Sequence, residues 1–306
     1  MNLQNNFTDF SHTVPCSVDA LARGIVADAT SYASGPGLFS NVVDRPASVF
    51  HAIEDLKKYS DAKVSIEDLT LSLPAKLTEV VDKLRRFGVV VLPNLIEGAA
   101  LDNMRAEFRA LLDHLELLGQ KFQVTDDAEN RCVRLDRATM EVEIAPETAA
   151  FYDAPLLAKI AEFYYGHEDF VLNRQIFVHE TLPTERPLSG DLHFDVSRML
   201  KFWIYLEDGR EDSGAIRMSP GSNLLFGKLR EEFSDRLIPK AQICNKVDET
   251  AHPAMPIEAP AGSLVIFDTD TAHGAGRVAP GKVRRIVRGH TMETKYVARG
   301  KKRASA

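Results

Sequence analysis

Residues 193–206 read HFDVSRMLKFWIYL, and this stretch decides the predicted fold. It begins with a histidine and an aspartate two positions apart and continues into an apolar run over Lys201–Leu206. A short apolar run after polar and turn residues is typical of a β-strand. Side chains two positions apart in a strand point to the same face, so His193 and Asp195 would share one face while Phe194 points to the other.

Further short β-rich runs lie on both sides of this stretch, separated by Asp-Gly and Pro-Gly turns. The predicted strands are Phe170–His179, Lys201–Leu206, Ala215–Met218, Leu264–Phe267 and Arg284–His290. Apolar residues spaced by three and four instead predict helices earlier in the chain, over 77–87, 101–118 and 156–165. A β-branched run, Val89–Val91, predicts a strand after the first of these helices. Helices first and strands afterwards indicate an α+β protein, in which helices support one face of an antiparallel sheet.

Composition excludes several functional classes. Of the 306 residues, 44% are hydrophobic and 26% are charged, which is typical of a soluble globular protein of one or two domains. The net charge of −7 argues against a nucleic-acid or anionic-membrane partner.

No apolar run approaches the ~20 residues of a membrane span, and no secretory signal is recognisable. Cys16, Cys132 and Cys244 are far apart and predict reduced thiols. We therefore expect a cytoplasmic protein.

His193 and Asp195 need a third ligand to form a metal site. The best candidate is His273, which follows the predicted strand Leu264–Phe267 in a small-residue setting, Ala-His-Gly. Two histidines and one carboxylate form the ligand set of non-haem Fe(II) oxygenases. A His-x-Asp triplet also arises by chance about once in a chain of this composition, so ordinary surface histidines are the alternative. The second triplet, His167–Asp169, follows a predicted helix end and fits a solvated turn.

A basic strand, Arg284–Arg288, follows the candidate third ligand. Alternation would put Arg284 and Arg288 on one face, with Arg285 on the other. An arginine turned into a protein core is costly unless it meets an anion. In an iron oxygenase that anion would be the distal carboxylate of a 2-oxo acid, which a guanidinium binds through two hydrogen bonds. The alternative is a solvated edge strand whose arginines oppose aggregation.

From about Val80 to Thr294 the chain resembles the phytanoyl-CoA dioxygenase family of Fe(II)/2-oxoglutarate-dependent oxygenases. Four stretches carry the resemblance: residues 87–93 (FGVVVLP), the HFD triplet, residues 213–222 (SGAIRMSPGS) and residues 262–284. In that family, the arginine that binds 2-oxoglutarate follows the second histidine ligand by eleven residues. This spacing selects Arg284 over Arg285.

The resemblance implies a double-stranded β-helix, a jelly-roll, cupin-like barrel that is mainly β and is buttressed by N-terminal helices. It divides the chain into a helical or irregular extension over residues 1–75 packed on the core, the dioxygenase domain over residues 76–296, and a basic tail over residues 297–306.

The implied cofactor is Fe(II), bound by His193, Asp195 and His273, with 2-oxoglutarate and O2 as cosubstrates. The resemblance also places Gln175 and Trp203 beside 2-oxoglutarate. For Trp203, the only tryptophan of the chain, plain packing in the core remains an alternative.

The implied reaction is hydroxylation of an unactivated C–H bond in a small polar or anionic metabolite, with release of succinate and CO2. Desaturation, epimerisation or cyclisation on the same scaffold are alternatives, as are a non-catalytic binding protein and a cupin-like metalloenzyme that does not use 2-oxoglutarate. Related halogenases have a small residue in place of Asp195, so chlorination is disfavoured. No motif identifies the substrate or an oligomeric state.

Arg288 is a candidate for binding an anionic substrate, because one cosubstrate carboxylate does not easily satisfy both it and Arg284. Lys201 and Arg198, close to the metal motif, would enlarge the same positive site. The alternative is that Arg288 reaches solvent or pairs with Glu293.

Overall fold

The computed structural model describes residues 15–28, 64–113, 123–126, 130–136, 144–172, 175–183, 190–195, 197–233 and 244–295. Within these ranges the chain forms two antiparallel sheets, with helices packed against the outer face of the larger one. The helices are α1 (Cys16–Gly24), α2 (Ile66–Leu69), α3 (Leu77–Phe87), α4 (Ala99–Asp113), α5 (Pro146–Asp153), α6 (Pro155–Tyr165) and α7 (Ser222–Phe233).

The strands of the described residues are β1 (Ile25–Val26), β2 (Ala75–Lys76), β3 (Val89–Leu92), β4 (Gln123–Asp126), β5 (Asn130–Asp136), β6 (Phe170–Leu172), β7 (Gln175–Thr181), β8 (His193–Asp195), β9 (Met199–Tyr205), β10 (Arg217–Met218), β11 (Cys244–Lys246), β12 (Met255–Pro256), β13 (Leu264–Asp268), β14 (His273–Gly274) and β15 (Arg284–Glu293). The major sheet has the order β3-β13-β9-β15-β7-β5-β4, with β6 also paired to β15, and the minor sheet has the order β11-β8-β14-β10-β12. Strands β3 to β7 lie in the major sheet, and from β8 onward the chain passes back and forth between the two sheets. The short strands β1 and β2 pair in parallel.

Glycine ends two of the three predicted helices. Gly88 adopts a left-handed backbone with φ of +72°, and its N–H donates to the Leu84 carbonyl oxygen at 2.8 Å, which ends α3 before the valine run of β3. Gly166 ends α6 in the same way. The predictions over 77–87 and 156–165 are therefore confirmed. The helix predicted over 101–118 is present as α4, and its predicted end lies outside the described residues.

The predicted strands are present with shifted bounds. The strand predicted over 170–179 consists of two strands, β6 and β7. The strand predicted over 215–218 shortens to β10, because the N–H groups of Ala215 and Ile216 bond outside the ladder, to the Arg210 carbonyl and the Tyr205 hydroxyl. The strand predicted over 284–290 extends to Glu293, where its second half pairs with β6.

Alternation along the central strands creates two apolar layers. On β9, Phe202 and Ile204 point outward and pack with the helices, whereas Trp203 and Tyr205 point inward. The inward layer packs against Met218 and its neighbours in the minor sheet, so it lies between the sheets. Burying each large apolar side chain is worth roughly 1.5–3 kcal/mol, so the two layers together fix which face of the major sheet is internal.

The two sheets face each other, but no strand of the described residues is hydrogen-bonded to both. The predicted mainly-β architecture with supporting helices is therefore confirmed, and closure into a continuous barrel is not observed in these ranges. No helix among them has the length and apolar character needed to cross a bilayer. Neither Cys16 nor Cys132 forms a disulfide bond to another described residue.

The described part of the predicted N-terminal extension contacts the rest of the protein. Helix α1 packs against α4 and α5, and the Ser17 hydroxyl donates to the Glu147 carbonyl oxygen at 3.1 Å. Ile25 pairs with Ala75 where β1 meets β2. The domain bounds at residues 75 and 297 stay predictions, because residues 29–63 and 296–306 lie outside the described ranges.

Two glycines with nearly equal backbone angles provide a test of this packing. Gly262 (φ +79°) and Gly281 (φ +78°) are both left-handed, but a Cβ at Gly262 would lie 1.9 Å from the Ile96 carbonyl oxygen, whereas a Cβ at Gly281 meets no described atom within 4 Å. We expect Gly281→Ala to lower the free energy of unfolding by about 1–2 kcal/mol, the cost of the left-handed backbone. Gly262→Ala should lower it further, because the backbone at Ile96 must move. Urea unfolding measures both, and equal losses would contradict the close approach.

Candidate metal centre

Three potential metal ligands converge on two neighbouring strands of the minor sheet. His193 and Asp195 lie on β8 and His273 lies on β14, and the strands pair so that His193 is directly opposite His273. The Nε2 atom of each histidine is 3.7 Å from Asp195 Oδ1. One potential ligand atom from each residue lies within 4.8 Å of the others. The structure thus brings together all three residues that the sequence selected.

Backbone carbonyl groups orient both imidazole rings. The Nδ1 atom of His193 lies 2.8 Å from the Asp191 carbonyl oxygen, and that of His273 lies 2.8 Å from the Thr271 carbonyl oxygen. Because a carbonyl oxygen only accepts hydrogen bonds, the proton of each neutral ring belongs on Nδ1. The lone pair of each Nε2 is left facing Asp195, as a metal ligand requires.

The charges of the site favour the metal-binding forms of these side chains. Burial, assisted by the charge of Lys201, lowers the pKa of His273 to about 3, so the ring is neutral at neutral pH. Burial raises the pKa of Asp195, but the charge of Lys201 and its hydrogen bond to the carboxylate act in the opposite direction, and this pKa lies well below its usual range. A neutral imidazole and an ionised carboxylate bind metal without first losing a proton.

Arg230 of α7 fixes the two ligand-bearing segments relative to each other. It is 3% exposed, its Nε donates to Asp270 Oδ1 at 2.5 Å, and its Nη2 donates to the Asp195 backbone carbonyl oxygen. Asp270 lies in the turn between β13 and β14, two residues after the end of β13. Sequence reasoning missed Arg230, because nothing in the pattern of α7 connects it to residues forty positions away.

Arg198, predicted to contact substrate, has buried partners instead. Its Nε donates to Asp268 Oδ2 at 3.0 Å and its Nη2 donates to the Tyr164 hydroxyl at 3.0 Å. Asp270 Oδ2 lies 3.7 Å from the same Nε. These contacts tie α6 to the turn after β13, and they favour a structural role for Arg198 over the predicted contact with substrate.

Lys201 reaches the metal ligands from the opposite sheet. It lies on the inner face of β9 and is 9% exposed. Its Nζ donates to Asp195 Oδ2 at 2.8 Å and lies 3.4 Å from His273 Nε2. The residue predicted for substrate binding is therefore in direct contact with two of the candidate ligands.

Arg284, at the start of β15, is a buried cation whose described partners are all neutral. Its Nη2 donates to Thr181 Oγ1 at 2.8 Å and its Nη1 donates to the Gly214 carbonyl oxygen at 3.3 Å. Its Nε and the indole Nε1 of Trp203 are buried without a described hydrogen-bond acceptor, and the guanidinium carbon lies 5.8 Å from the Trp203 ring centroid. Burial lowers the pKa of Arg284 to about 10, so it stays charged at neutral pH. A buried charge with unused donors is arranged to receive an anion.

The neighbouring arginine points the other way, as alternation predicts. Arg285 donates to Glu180 Oε2 at 2.8 Å and to Glu207 Oε1 at 3.1 Å on the outer face. Its charge is therefore balanced by two carboxylates of the fold. The contrast with Arg284 supports the choice between them that was made from sequence spacing.

Arg288 lies on the same face of β15 as Arg284 and stacks on Phe177, with its guanidinium carbon 4.0 Å from the ring centroid. Gln175 begins β7 two residues before Phe177, on the same face. The alternative partner for Arg288, Glu293, instead contacts His167 at 3.1 Å and Lys295 at 3.1 Å.

The triplet at residues 167–169 is a surface feature. The side chain of His167 is 42% exposed and its ring stacks on Tyr165 with centroids 5.9 Å apart. The second triplet of the chain is thus part of the turn after α6, as predicted.

Comparison with known proteins places these observations in context. The family model for "Phytanoyl-CoA dioxygenase (PhyH)" matches residues 84–286, about two thirds of the chain. The ectoine dioxygenase of Halomonas elongata is 23% identical over 226 residues, a region that covers 64% of this chain and 63% of that relative. The chain therefore matches somewhat less than two thirds of the length of this relative.

Two solved structures share the fold. One is the crystal structure of the epimerase SnoN in complex with Fe3+, alpha ketoglutarate and nogalamycin RO, with a TM-score of 0.53, 18% identity, and coverage of 71% of this chain and 83% of that one. The other is the alpha ketoglutarate dependent carbocyclase SnoK from nogalamycin biosynthesis, with a TM-score of 0.50, 20% identity, and coverage of 70% and 83%.

The three converging side chains predict one metal ion per chain. We expect His193→Ala, Asp195→Ala and His273→Ala each to weaken Co(II) binding by more than the roughly 10–100-fold typical of removing a residue that only supports a ligand. Calorimetric titration of the metal-free protein measures the affinity. His167→Ala is the matched control, because it removes a histidine from the other His-x-Asp triplet. One equivalent of tightly bound Co(II) in His193→Ala would contradict the assignment.

Proposed function

Because the chain belongs to the phytanoyl-CoA dioxygenase family, we propose that it is an Fe(II)- and 2-oxoglutarate-dependent dioxygenase that hydroxylates an unactivated C–H bond of a small polar or anionic metabolite. The observation that carries this proposal is Arg284, a buried cation with unused hydrogen-bond donors on the inner face of the major sheet. A metal site alone occurs in many kinds of protein. A metal site together with a buried arginine between the same two sheets could bind both ends of a 2-oxo acid, with the metal at one end and the arginine at the other.

In this proposal His193, Asp195 and His273 hold Fe(II). When bound, the iron supplies the oxidising chemistry, in which decarboxylation of 2-oxoglutarate by O2 gives succinate and CO2 and the second oxygen atom enters the substrate. The protein contributes two imidazoles whose orientation is fixed by backbone carbonyl groups, and an ionised carboxylate. We also infer that the two facing sheets are the halves of a double-stranded β-helix, which is the fold expected of this family.

Arg284 and Thr181 would bind the carboxylate of 2-oxoglutarate that is distant from the metal. A guanidinium and a carboxylate pair through two parallel hydrogen bonds, and a bond between charged groups is worth about 1.5–3 kcal/mol. The unpartnered Nε of Arg284 would supply a further donor, and the Trp203 ring would cover one side of the cosubstrate. Gln175 is proposed to lie beside it on the same face.

The substrate is proposed to carry an anionic group, bound by Arg288. Phe177 covers one face of this guanidinium, and an oxyanion would bind at the N–H edge, where a guanidinium matches a carboxylate or phosphate. His290 follows two positions later on the same face, and the charges of Arg288 and Lys201 contribute, after burial, to lowering the pKa of this histidine well below its usual range. The space beside the triad is thus lined by positive charge, which favours a carboxylate, sulfonate or phosphate on the substrate.

The proposal is tested by reconstituting the full chain with Fe(II) under anaerobic conditions and measuring succinate formation from 2-oxoglutarate and O2. A panel of anionic and neutral small molecules would be screened for stimulation of succinate release, with the products identified by mass spectrometry. Gain of one oxygen atom is expected for hydroxylation. Loss of two hydrogens would indicate desaturation or oxidative cyclisation, and an unchanged mass would indicate epimerisation. Absence of 2-oxoglutarate binding would instead favour a metalloenzyme or binding protein that does not use it.

Arg284→Met is expected to raise the KM for 2-oxoglutarate by about 10–150-fold, because the charge-assisted pair is lost. Steady-state kinetics with varied 2-oxoglutarate gives this value. Arg285→Met is the matched control, since it removes the adjacent arginine from the outer face and should change this KM little. If both variants kept the wild-type KM, the cosubstrate would bind elsewhere.

Arg288→Leu is expected to raise the KM for the anionic substrate found in the panel by about tenfold or more, and to leave the KM for 2-oxoglutarate nearly unchanged. The two KM values should respond differently because Arg288 would bind the substrate anion and Arg284 the cosubstrate carboxylate. Varying each reactant in turn under the succinate assay measures both constants. Wild-type values for both would remove Arg288 from the substrate site.

A further inference from the structure

The two carboxylate oxygens of Asp195 have separate partners. Oδ1 faces the Nε2 atoms of His193 and His273, each at 3.7 Å. Oδ2 accepts a hydrogen bond from Lys201 Nζ at 2.8 Å. Oδ1 is therefore the oxygen recorded nearest both imidazoles, and Oδ2 is the oxygen engaged by the ammonium.

Lys201 makes this contact across the space between the sheets. On β9 its register partners are Phe267 of β13 and His290 of β15, so its side chain starts from the middle of the major sheet. The ammonium lies 5.6 Å from the Phe267 ring centroid and ends on β8 of the minor sheet. Ordering a lysine side chain costs rotamer entropy, and its burial adds a desolvation cost. The pair with Asp195 offsets these costs.

We propose that Lys201 is a positioning residue for the metal ligand Asp195: it occupies Oδ2, so that the carboxylate offers the metal a single oxygen. An oxygen whose electrons are engaged by an ammonium is a poorer metal ligand than one that is not. A carboxylate that binds through one oxygen also uses less of the metal's coordination sphere than one that binds through two, which leaves more of it for the cosubstrate. The inference rests on the metal site of the proposed function.

The second contact of Lys201 is of a different kind. Nζ lies 3.4 Å from His273 Nε2, the atom that would itself bind the metal. A metal on that nitrogen takes the lone pair to which the ammonium points, so this contact and metal binding exclude each other. The bond to Oδ2 uses neither imidazole nitrogen, so it is the contact that the proposal retains when a metal is bound. Lys201 is therefore assigned to Asp195 and not to His273.

The experiment uses the full chain loaded with Co(II), whose visible absorption reports the number of ligands on the metal, and needs no turnover. Lys201→Met, which keeps a long unbranched side chain but removes the donor, is compared with Lys201→Arg, which keeps a charged donor. Lys246→Met is the matched control. Lys246 lies on β11, the strand next to β8, its side chain is 73% exposed, and its Nζ pairs with Asp191 Oδ2 at 2.5 Å. Titration with 2-oxoglutarate then gives its dissociation constant for each protein.

We expect Lys201→Met to bind one Co(II) with an altered spectrum before 2-oxoglutarate is added, and to bind 2-oxoglutarate roughly 10–100-fold more weakly, in the range typical of removing a group that supports a ligand. Lys201→Arg should restore the wild-type spectrum, and Lys246→Met should not change it. Circular dichroism checks folding. Should Lys201→Met not fold, Lys201→Gln removes the charge with a shorter side chain, and its spectrum must then differ from the wild type.

Three results would overturn the inference. An unchanged spectrum with weaker 2-oxoglutarate binding would make Lys201 a direct contact of the cosubstrate. An unchanged spectrum with weaker binding of substrate alone would return it to the substrate site. Failure of the wild-type chain to bind Co(II) would refute the proposed function itself, and the assignment of Lys201 with it.

Discussion

The pairing of His193 with His273 across β8 and β14 is the constraint on which the site depends. Side chains alternate between the faces of a strand, so a slip of one residue would turn a ligand away from the other two. Several contacts hold this register. The Asp195 N–H donates to the Thr269 carbonyl oxygen at 3.1 Å, and Arg230 bonds both the Asp195 backbone and Asp270. The metal-binding geometry is thus built into the backbone before any metal binds.

The two sheets contribute different chemistry to the space between them. The minor sheet carries the candidate ligands, whereas Arg284, Arg288 and Lys201 project from the inner face of the major sheet. These cations stand among apolar inner-face residues such as Trp203 and Phe267. Burying charge in such surroundings costs free energy unless an opposite charge is present. Lys201 meets the carboxylate of Asp195, whereas the described partners of Arg284 are neutral. This difference is why the proposal places the distal carboxylate of 2-oxoglutarate at Arg284.

The helices make this arrangement possible from the outside. The outer face of the major sheet presents Ile204, Ile266 and Val287 to a continuous apolar layer that includes the helices. This layer determines which face of β9 and β15 turns inward, and therefore that Arg284 is buried between the sheets while Arg285 pairs with Glu180 and Glu207 on the outer face. Residues distant from the chemistry decide in this way which of two adjacent arginines reaches it.

The sequence by itself determined the features that depend on local periodicity. Helices α3 and α6 each end at a glycine, the residue that adopts a left-handed backbone most easily. His193 and Asp195 share a face because they are two positions apart in a strand. Arg284 and Arg285 lie on opposite faces because they are adjacent in a strand. Periodicity states which face a side chain occupies, but not what it meets there. Arg198 and Lys201 illustrate the difference, since both are basic and lie close to the metal motif in sequence. Arg198, just before β9, pairs with Asp268, whereas Lys201, within β9, pairs with Asp195. Only the tertiary structure decides these pairs, because each partner belongs to another strand that the fold brings alongside.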